Sequence, residues 1–303
     1  MTVALSRLSR KHQERRAALA EATARSVLAE WAKVSPEAVA RDWGRLLPRV
    51  TAYVQAGQLH AAEGTHTFMK ELLGPDVDVA QVVPEQFASQ TPEGRDAMGL
   101  LARAIPTALR SRSAGLSPRA AMARGAAFLD MVVRTVVSDT GRQSDQAAMV
   151  GTRAVTSYVR VVELPACSRC IILAGREYSV SQGFLRHPRC DCTMEPVVKR
   201  RKAPVLDAED LFESMTPEQR RKTFGEAGTR AIDDGARISS VVNARKGMAQ
   251  VEMFGRTVQA TYTGTGSRKK KRPPRLMPEE IYRLAGDDRN QAIRLLYKNG
   301  YLR

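Results

Sequence analysis

Apolar residues recur at helical spacing through the N-terminal part of the chain. Between Val3 and Val34 the sequence is charged and rich in alanine, and its apolar residues, Leu8, Leu28 and Trp31 among them, recur loosely at helical spacing. This period places an apolar stripe on one face of a helix whose other faces are polar. We therefore expect one long, surface-rich helix over this stretch.

Three later positions carry a helix-start signal in which a hydroxyl side chain directly precedes a proline. Ser or Thr at the N-cap accepts a hydrogen bond from the first turn, and proline fits the first helical position because no N–H is needed there. The predicted helices start at Ser35, Thr91 and Ser117 and carry apolar residues through Val54, Leu109 and Val137 respectively. Gly74–Gln90, with Pro75 and Pro84, is expected to be a connecting loop or a short extended piece.

The periodicity changes to that of a strand after Ala154. Val155–Leu164 is a run of β-branched and aromatic residues that ends at Pro165, and Thr193–Val198 is similar in character. We expect a strand in each, and a short hairpin over Ile171–Val180. A sheet of this size is too small to be stable without a further constraint.

The C-terminal third of the chain returns to a mainly helical pattern. It predicts short helices over Asp207–Glu213 and Thr216–Phe224, a helix running to Gly247, a strand over Val251–Val258, and a terminal helix pair that starts at Pro278, breaks at Gly286 and ends at Asn299-Gly300. The expected fold class is α+β and predominantly helical. We expect a helical domain over 1–150, a strand-rich module over 151–200, and basic linkers with a helical segment over 201–303.

Composition indicates packed domains and a polyanionic partner. Of the 303 residues, 43% are hydrophobic, which is enough to form cores, and the formal net charge is +16. This charge favours nucleic acid, an acidic protein surface or a membrane surface as the neighbour. No apolar run approaches the roughly 18 residues that span a bilayer, and no secretion signal is evident. We expect a soluble protein made in a cytosol, with no membrane partner.

Two runs of basic residues lie in the C-terminal third. Lys199–Lys202 and Arg268–Arg275 stand in stretches without an apolar period, and we expect both to be exposed, mobile linkers. They serve either solubility or a salt-dependent, sequence-blind contact with DNA or an acidic protein surface. No aromatic residues are interleaved with them, which argues against single-strand binding by base stacking.

All four cysteines fall between positions 167 and 192, together with the only histidine of the second half of the chain. The order is Cys167-x2-Cys170 followed by His187-x2-Cys190-x-Cys192. Zinc takes four ligands in a tetrahedron and prefers thiolate and imidazole, which two short ligand-bearing turns can supply. The sequence therefore predicts a zinc site with these five candidate ligands. A shell closed by four protein ligands leaves no position for water, so the zinc is expected to be structural.

Zinc takes four ligands, so one of the five candidate residues does not bind it. Cys167 and Cys170 are the firm pair, because x2 spacing lets both sulfurs reach one ion. Either both Cys190 and Cys192 bind, which we expect to require a turn of the backbone there, or His187 with one of them completes the set. Disulfides and buried thiols are the alternatives to zinc, and the lack of a secretion signal argues against disulfides.

The same residues carry a family resemblance. An ordered Cys167-x2-Cys170, a hairpin, and His187-Pro188-x-Cys190-x-Cys192 closing on a short strand resemble the Mu F-like family of phage minor capsid or head-morphogenesis proteins, in particular its actinophage branch. The resemblance covers about residues 140–198. Further segments downstream are also similar to that branch: Met215–Glu218, Phe224-Gly225, Ala231–Gly235, Val242–Arg245 and Gly247-Met248.

The resemblance implies a low-copy virion protein that acts near the portal and scaffold during head assembly and then resides inside the head. Its implied partners are portal, capsid and scaffold proteins, with non-specific contact to packaged DNA. It would occupy the host bacterial cytoplasm during assembly and the virion afterwards. Some relatives at this gene position are described as capsid maturation proteases, so proteolysis of scaffold or capsid is the alternative function.

The motifs do not indicate a catalytic site, and we interpret the chain as a structural component without catalytic residues. No G-x-S-x-G is present, and a serine protease would need His60 or His66 as its base. The segment from His60 to His66 superficially resembles a zinc-protease signature, but its histidines are six apart rather than four. We expect an ordinary solvated helix end there. Nucleic-acid binding by the zinc module itself is a third function to be considered.

Overall fold

The computed structural model describes most of the chain. The described residues are 7–88, 90–183, 186–188, 190, 192–198, 206–253, 255–263 and 274–302. The protein is about 62% helical with two small three-stranded sheets among these residues, which confirms the predicted α+β, predominantly helical class. The described residues form two compact units, one of 7–161 with 176–198 and one of 162–175 with 206–302.

The first unit is built on a layer of helices. They are α1 (Arg7–Trp31), α2 (Val39–Leu73), α3 (Glu85–Ala88), α4 (Ala97–Ala102), α5 (Ala104–Ser113) and α6 (Pro118–Gly151). α6 packs against α1, α2 and α5, and α1 also packs against α2. The rings of Trp31 and Trp43 meet edge to face in this core, with centroids 5.0 Å apart. Each indole N–H donates to a backbone carbonyl, Trp31 to Met122 and Trp43 to Leu101, so both buried donors are satisfied.

The start of α2 differs from the prediction at Ser35. The segment from Ser35 to Glu37 is a turn, and α2 begins at Val39. The Ser35 hydroxyl donates to the Glu37 carboxylate, 2.6 Å away, instead of capping the helix. The predicted start was therefore wrong by several residues. The helix carries the predicted residues through Val54 and continues to Leu73.

The second and third helix-start signals had different outcomes. The start predicted at Thr91 was wrong, because residues 91–95 close a turn and α4 begins at Ala97 with the Asp96 carboxylate accepting from its first turn. Aspartate is as good a cap as threonine and lies closer to the apolar helical residues. The start at Ser117 is confirmed, since its hydroxyl accepts a first-turn N–H of α6 at 3.3 Å.

The first unit also contains an antiparallel sheet in the order β2-β1-β3. Its strands are β1 (Val155–Val161), β2 (Glu177–Ser179) and β3 (Thr193–Val198). β1 and β3 confirm the two predicted strands. The predicted hairpin over Ile171–Val180 was wrong, because Ile171 ends a short helix and Glu177–Ser179 pairs with β1 instead. Ile171 is fully buried, and packing has overridden its strand propensity.

The second unit combines short helices with another small sheet. Its elements are α7 (Ser168–Ile171), α8 (Ala208–Ser214), α9 (Pro217–Phe224), α10 (Glu226–Asp233), α11 (Ile238–Ala244), a 3₁₀ turn (Arg245–Gly247), β4 (Met248–Met253), β5 (Arg256–Thr261), β6 (Arg275–Leu276), α12 (Pro278–Ala285) and α13 (Arg289–Lys298). Its core includes the fully buried side chains of Met277, Ile281, Leu296 and Tyr301. α8, α9 and α11 confirm the helices predicted for this region.

The strand predicted over Val251–Val258 is in fact a hairpin. β4 and β5 pair along their whole length, and the turn between them contains Gly255 with φ of +69°. Glycine adopts this left-handed conformation without steric cost, so the break in the strand falls there. The terminal helix pair separated at Gly286 is confirmed as α12 and α13. No helix in the described part of the chain has the length and hydropathy needed to cross a membrane.

The two basic runs fall largely outside the described residues, which exclude 199–202 and 268–273. Arg275 is described, and its expected exposure in a linker was wrong. It lies in β6 and is half-buried, with its guanidinium carbon 4.5 Å from the ring centroid of Tyr301. Its Nη1 donates to the Asn299 carbonyl at 3.1 Å, so this arginine is part of the folded second unit.

Candidate metal centre

The first ligand-bearing turn is held by its own backbone. Cys167 is the N-cap of α7, and its carbonyl accepts from the N–H groups of Cys170 and Ile171 at 3.0 and 3.1 Å. This folds the C-x2-C segment into one tight turn. Cys170 is buried with 3% exposure, whereas Cys167 is exposed.

The second ligand-bearing segment also turns. The Cys190 N–H donates to the His187 carbonyl at 3.1 Å, and β3 begins at Thr193, directly after Cys192. Cys190 and Cys192 therefore precede the regular strand rather than alternate along it. Both are buried with 3% exposure.

The candidate ligand atoms form two overlapping groups. The sulfurs of Cys170, Cys190 and Cys192 lie within 4.8 Å of one another, and so do the ligand atoms of Cys167, Cys170 and His187. Cys170 belongs to both groups. None of the four cysteines, all of which are described, is in a disulfide. The structure thus brings all five predicted ligands together in groups that suit a metal ion.

Donor type and spacing fit a thiophilic metal. Sulfurs bound at about 2.3 Å in a tetrahedral zinc site lie roughly 3.8 Å apart. Atoms within 4.8 Å of one another reach that spacing through small side-chain movements. Magnesium and calcium prefer oxygen ligands, so thiols with an imidazole do not suit them.

The ring of His187 is held by a contact with the backbone of the next residue. Its Nδ1 lies 2.8 Å from the carbonyl oxygen of Pro188. A carbonyl can only accept, so Nδ1 carries the proton and Nε2 keeps its lone pair. Metal-binding histidines are commonly held by this kind of hydrogen bond to a backbone carbonyl.

A buried arginine contacts the sulfur atoms directly. Arg160, on β1, has 1% exposure, and its Nη2 lies 3.4 Å from Cys192 Sγ and 3.8 Å from Cys190 Sγ. Sequence reasoning missed this residue. The signal that could have revealed it is the single charged side chain of β1, which stands between Val159 and Val161, because such a charge is buried only when it is paired.

A second arginine holds the backbone of the same segment. Arg142 Nη2, from α6, donates to the Cys190 carbonyl and to Asp139 Oδ1, both at 2.7 Å. Arg186 also pairs with Asp139. Burial raises the pKa of Asp139, while the guanidinium groups of Arg142 and Arg186 act in the opposite direction. The thiol-bearing segment is therefore attached to α6 through buried polar contacts.

The histidines considered as protease bases lie elsewhere. His60 and His66 are both in the interior of α2, which continues to Leu73, so the predicted helix end was wrong. His60 Nδ1 lies 2.7 Å from the Glu63 carboxylate on an exposed face, an ordinary contact between residues one turn apart. His66 Nδ1 is buried and has no hydrogen-bond partner in the described part of the chain.

No protein-family model, curated protein or solved structure matches this chain. Its function must therefore be inferred from the donor atoms of the cysteine cluster, from their burial and from the charge of the whole molecule.

Proposed function

We propose that the chain is a structural protein whose cysteine cluster holds one zinc ion. The observation that carries the proposal is the buried group of Cys170, Cys190 and Cys192, whose sulfurs lie within 4.8 Å of one another. Three buried thiols at this spacing match the preference of zinc for thiolate ligands.

The fourth ligand comes from the second group. The ligand atoms of Cys167 and His187 each lie within 4.8 Å of the Cys170 sulfur, and both residues are less buried than Cys170, Cys190 and Cys192. Either one completes a shell of four protein ligands. A complete shell leaves no open position for water or substrate, so the ion stabilises the fold rather than taking part in a reaction.

Metal analysis of protein purified under reducing conditions tests the site, and we expect about one zinc per chain. Cys170→Ser, Cys190→Ser and Cys192→Ser should each lose the metal. Ser168→Ala, in the same turn as Cys170, should keep it. Cys167→Ser and His187→Ala identify the fourth ligand, because only the true ligand lowers zinc content. A folded, fully reduced protein that takes up no zinc would contradict the site.

We further propose that the protein is a phage minor capsid protein with an assembly role inside the head, near the portal. The support is the Mu F-like resemblance, which is carried by the same cysteines and by His187-Pro188, and the net charge of +16, which suits a compartment filled with DNA. In this role the zinc would hold the module in shape for contact with portal, capsid or scaffold proteins.

Reconstituted heads test this assignment. Capsid, scaffold and portal proteins encoded by neighbouring genes are expressed with this chain, and purified particles are probed for it. We expect incorporation at low copy number, reduced by Cys170→Ser and unchanged by Ser168→Ala. Particles that never contain the chain contradict the role. Defined cleavage of scaffold that is lost in His60→Ala or His66→Ala would support the maturation protease instead.

A further inference from the structure

Arg160 occupies a position where strands normally carry apolar side chains. Its neighbours Val159 and Val161 are buried, and Arg160 itself is 1% exposed. A guanidinium keeps its positive charge at any physiological pH. Burial of that charge is costly unless negative or strongly polar groups lie beside it.

The register of the sheet determines what lies beside this charge. Arg160 is opposite Met194 in the β1–β3 pair. Cys192 lies two residues before Met194, immediately ahead of the first residue of β3. The Nη2 atom accordingly reaches the sulfurs of Cys192 and Cys190 at 3.4 and 3.8 Å, within the range of N–H···S contacts.

A zinc ion with thiolate ligands is itself negatively charged. Four thiolates leave a net charge of minus two, and three thiolates with a neutral imidazole leave minus one. The ligands nearest to Arg160 are buried, and in such surroundings charges interact far more strongly than in water. A fixed positive charge that also donates hydrogen bonds to the sulfurs offsets this excess.

We propose that Arg160 is the outer-shell charge partner of the metal centre, positioned to stabilise the metal–thiolate complex through Cys190 and Cys192. This rests on the proposed zinc site. Arg160 does not bind the ion; it sets how tightly the thiolates hold it. Val159, the preceding residue on β1, offers a matched control, because it is also buried but points to the opposite face of the strand.

The test uses the full-length chain loaded with zinc or with cobalt. A chromophoric chelator measures zinc affinity by competition, and the absorption of the cobalt form reports the sulfur atoms. For Arg160→Gln we expect affinity to fall about 10- to 100-fold, the usual effect of removing an outer-shell partner. The sulfur-to-cobalt charge-transfer band should move to lower energy, because lost N–H···S bonds raise the energy of the sulfur lone pairs. Arg160→Lys should show a smaller loss of affinity and the same direction of band shift.

Val159→Ala loosens the same strand without touching the sulfurs, so its cobalt spectrum and zinc affinity should match those of the unmodified chain. If Arg160→Gln does not fold, Arg160→Lys is the variant that tests the proposal. A charge-transfer band and a zinc affinity that are both unchanged in Arg160→Lys would overturn it. A loss of affinity in Val159→Ala equal to that in Arg160→Gln also overturns it. Failure of the unmodified chain to take up either metal removes the zinc site and this inference together, whereas uptake that is indifferent to Arg160 removes this inference alone.

Discussion

At the residue scale, Asp145 on α6 is a closely held charge outside the metal centre. It is almost completely buried and accepts from Arg16 Nη2 at 2.9 Å and from the Thr65 hydroxyl at 3.0 Å, with His12 Nε2 at 3.5 Å. Burial alone would raise the pKa of Asp145, but the Arg16 guanidinium and His12 hold it well below its usual range. This network therefore joins α1, α2 and α6 through one carboxylate.

The network predicts loss of stability at acid pH. In the unfolded chain the pKa of this carboxyl group is about 3.9, which is above its pKa in the folded protein. The stability that Asp145 contributes is therefore fully present above about pH 3.9 and is lost as the pH falls from there through the folded pKa. Burial, then the Arg16 charge, lowers the pKa of His12 below its usual value of about 6.5. The unfolded chain thus binds this proton more readily, and stability should begin to fall below about pH 6.5.

Asp145→Asn should destabilise the first unit by about 3–5 kcal/mol at pH 7, because it leaves the buried Arg16 charge uncompensated. Its stability should also depend less on pH below about 4. Both tryptophans, Trp31 and Trp43, lie in this unit, so their fluorescence during urea unfolding reports it. Asp130→Asn on the same helix removes a more exposed pair with Arg134 and should cost less than about 1 kcal/mol. Equal losses in the two variants would contradict this account.

At the scale of elements, the close packing of α1 on α6 depends on a glycine. A β-carbon at Gly125 would overlap the indole ring of Trp31. Gly125→Ala should therefore destabilise the first unit by about 1–3 kcal/mol, although alanine is the better helix former. Apart from the backbone of its own helix and its chain neighbours, Gly44 in α2 has nothing within 4 Å of the position that a β-carbon would take, so Gly44→Ala should stabilise by up to about 1 kcal/mol. Urea unfolding of both variants checks the opposite signs, and the same sign in both would contradict the packing argument.

Sequence patterns predicted the elements better than their ends. The long helices and the strands β1 and β3 follow from periodicity that extends over many residues. The starts at Ser35 and Thr91 failed because those hydroxyls make local turn contacts, and nothing in a short motif distinguishes a turn from a cap. The strand expected near Ile171 failed because tertiary burial decided its conformation.

In the metal centre, the local motifs were predicted and the tertiary contacts were not. Spacing alone indicated the two turns and their five donors, since ligand geometry is local in sequence. The contact of Arg160 with Cys192 depends on the β1–β3 register, and that of Arg142 with Cys190 on how α6 packs. Neither is encoded in a local motif, so residues that surround the ligands were not predicted.

At the scale of the whole molecule, the net charge of +16 predicts salt-dependent binding to DNA. Affinity for a random duplex should fall steeply between low and moderate salt, with a slope of about 0.9 per neutralised phosphate. Replacing Lys269, Lys270 and Lys271 by glutamine should lower that slope by up to about three. Fluorescence anisotropy across a salt series measures it.

The control for that experiment removes the same charge from a different surface. Arg103, Arg110 and Arg112 are exposed at α5, and their replacement by glutamine should change the slope less if the basic run contacts DNA. A slope near zero in the unmodified chain would remove nucleic acid from the partners. Equal changes in the two triple variants would show that only overall charge matters.

The burial of Tyr301 has a consequence for biosynthesis. The apolar cluster between the long helices of the first unit is drawn from Ala20 to Val137, whereas the core of the second unit reaches Tyr301, whose hydroxyl donates to the Leu276 carbonyl at 3.0 Å. A ribosome adding about 5–20 residues per second makes Tyr301 roughly 10 to 30 seconds after Val137. The nascent chain therefore contains every residue of the helical cluster in the first unit before the core of the second unit can be completed. Any need for chaperones should be greatest in that interval.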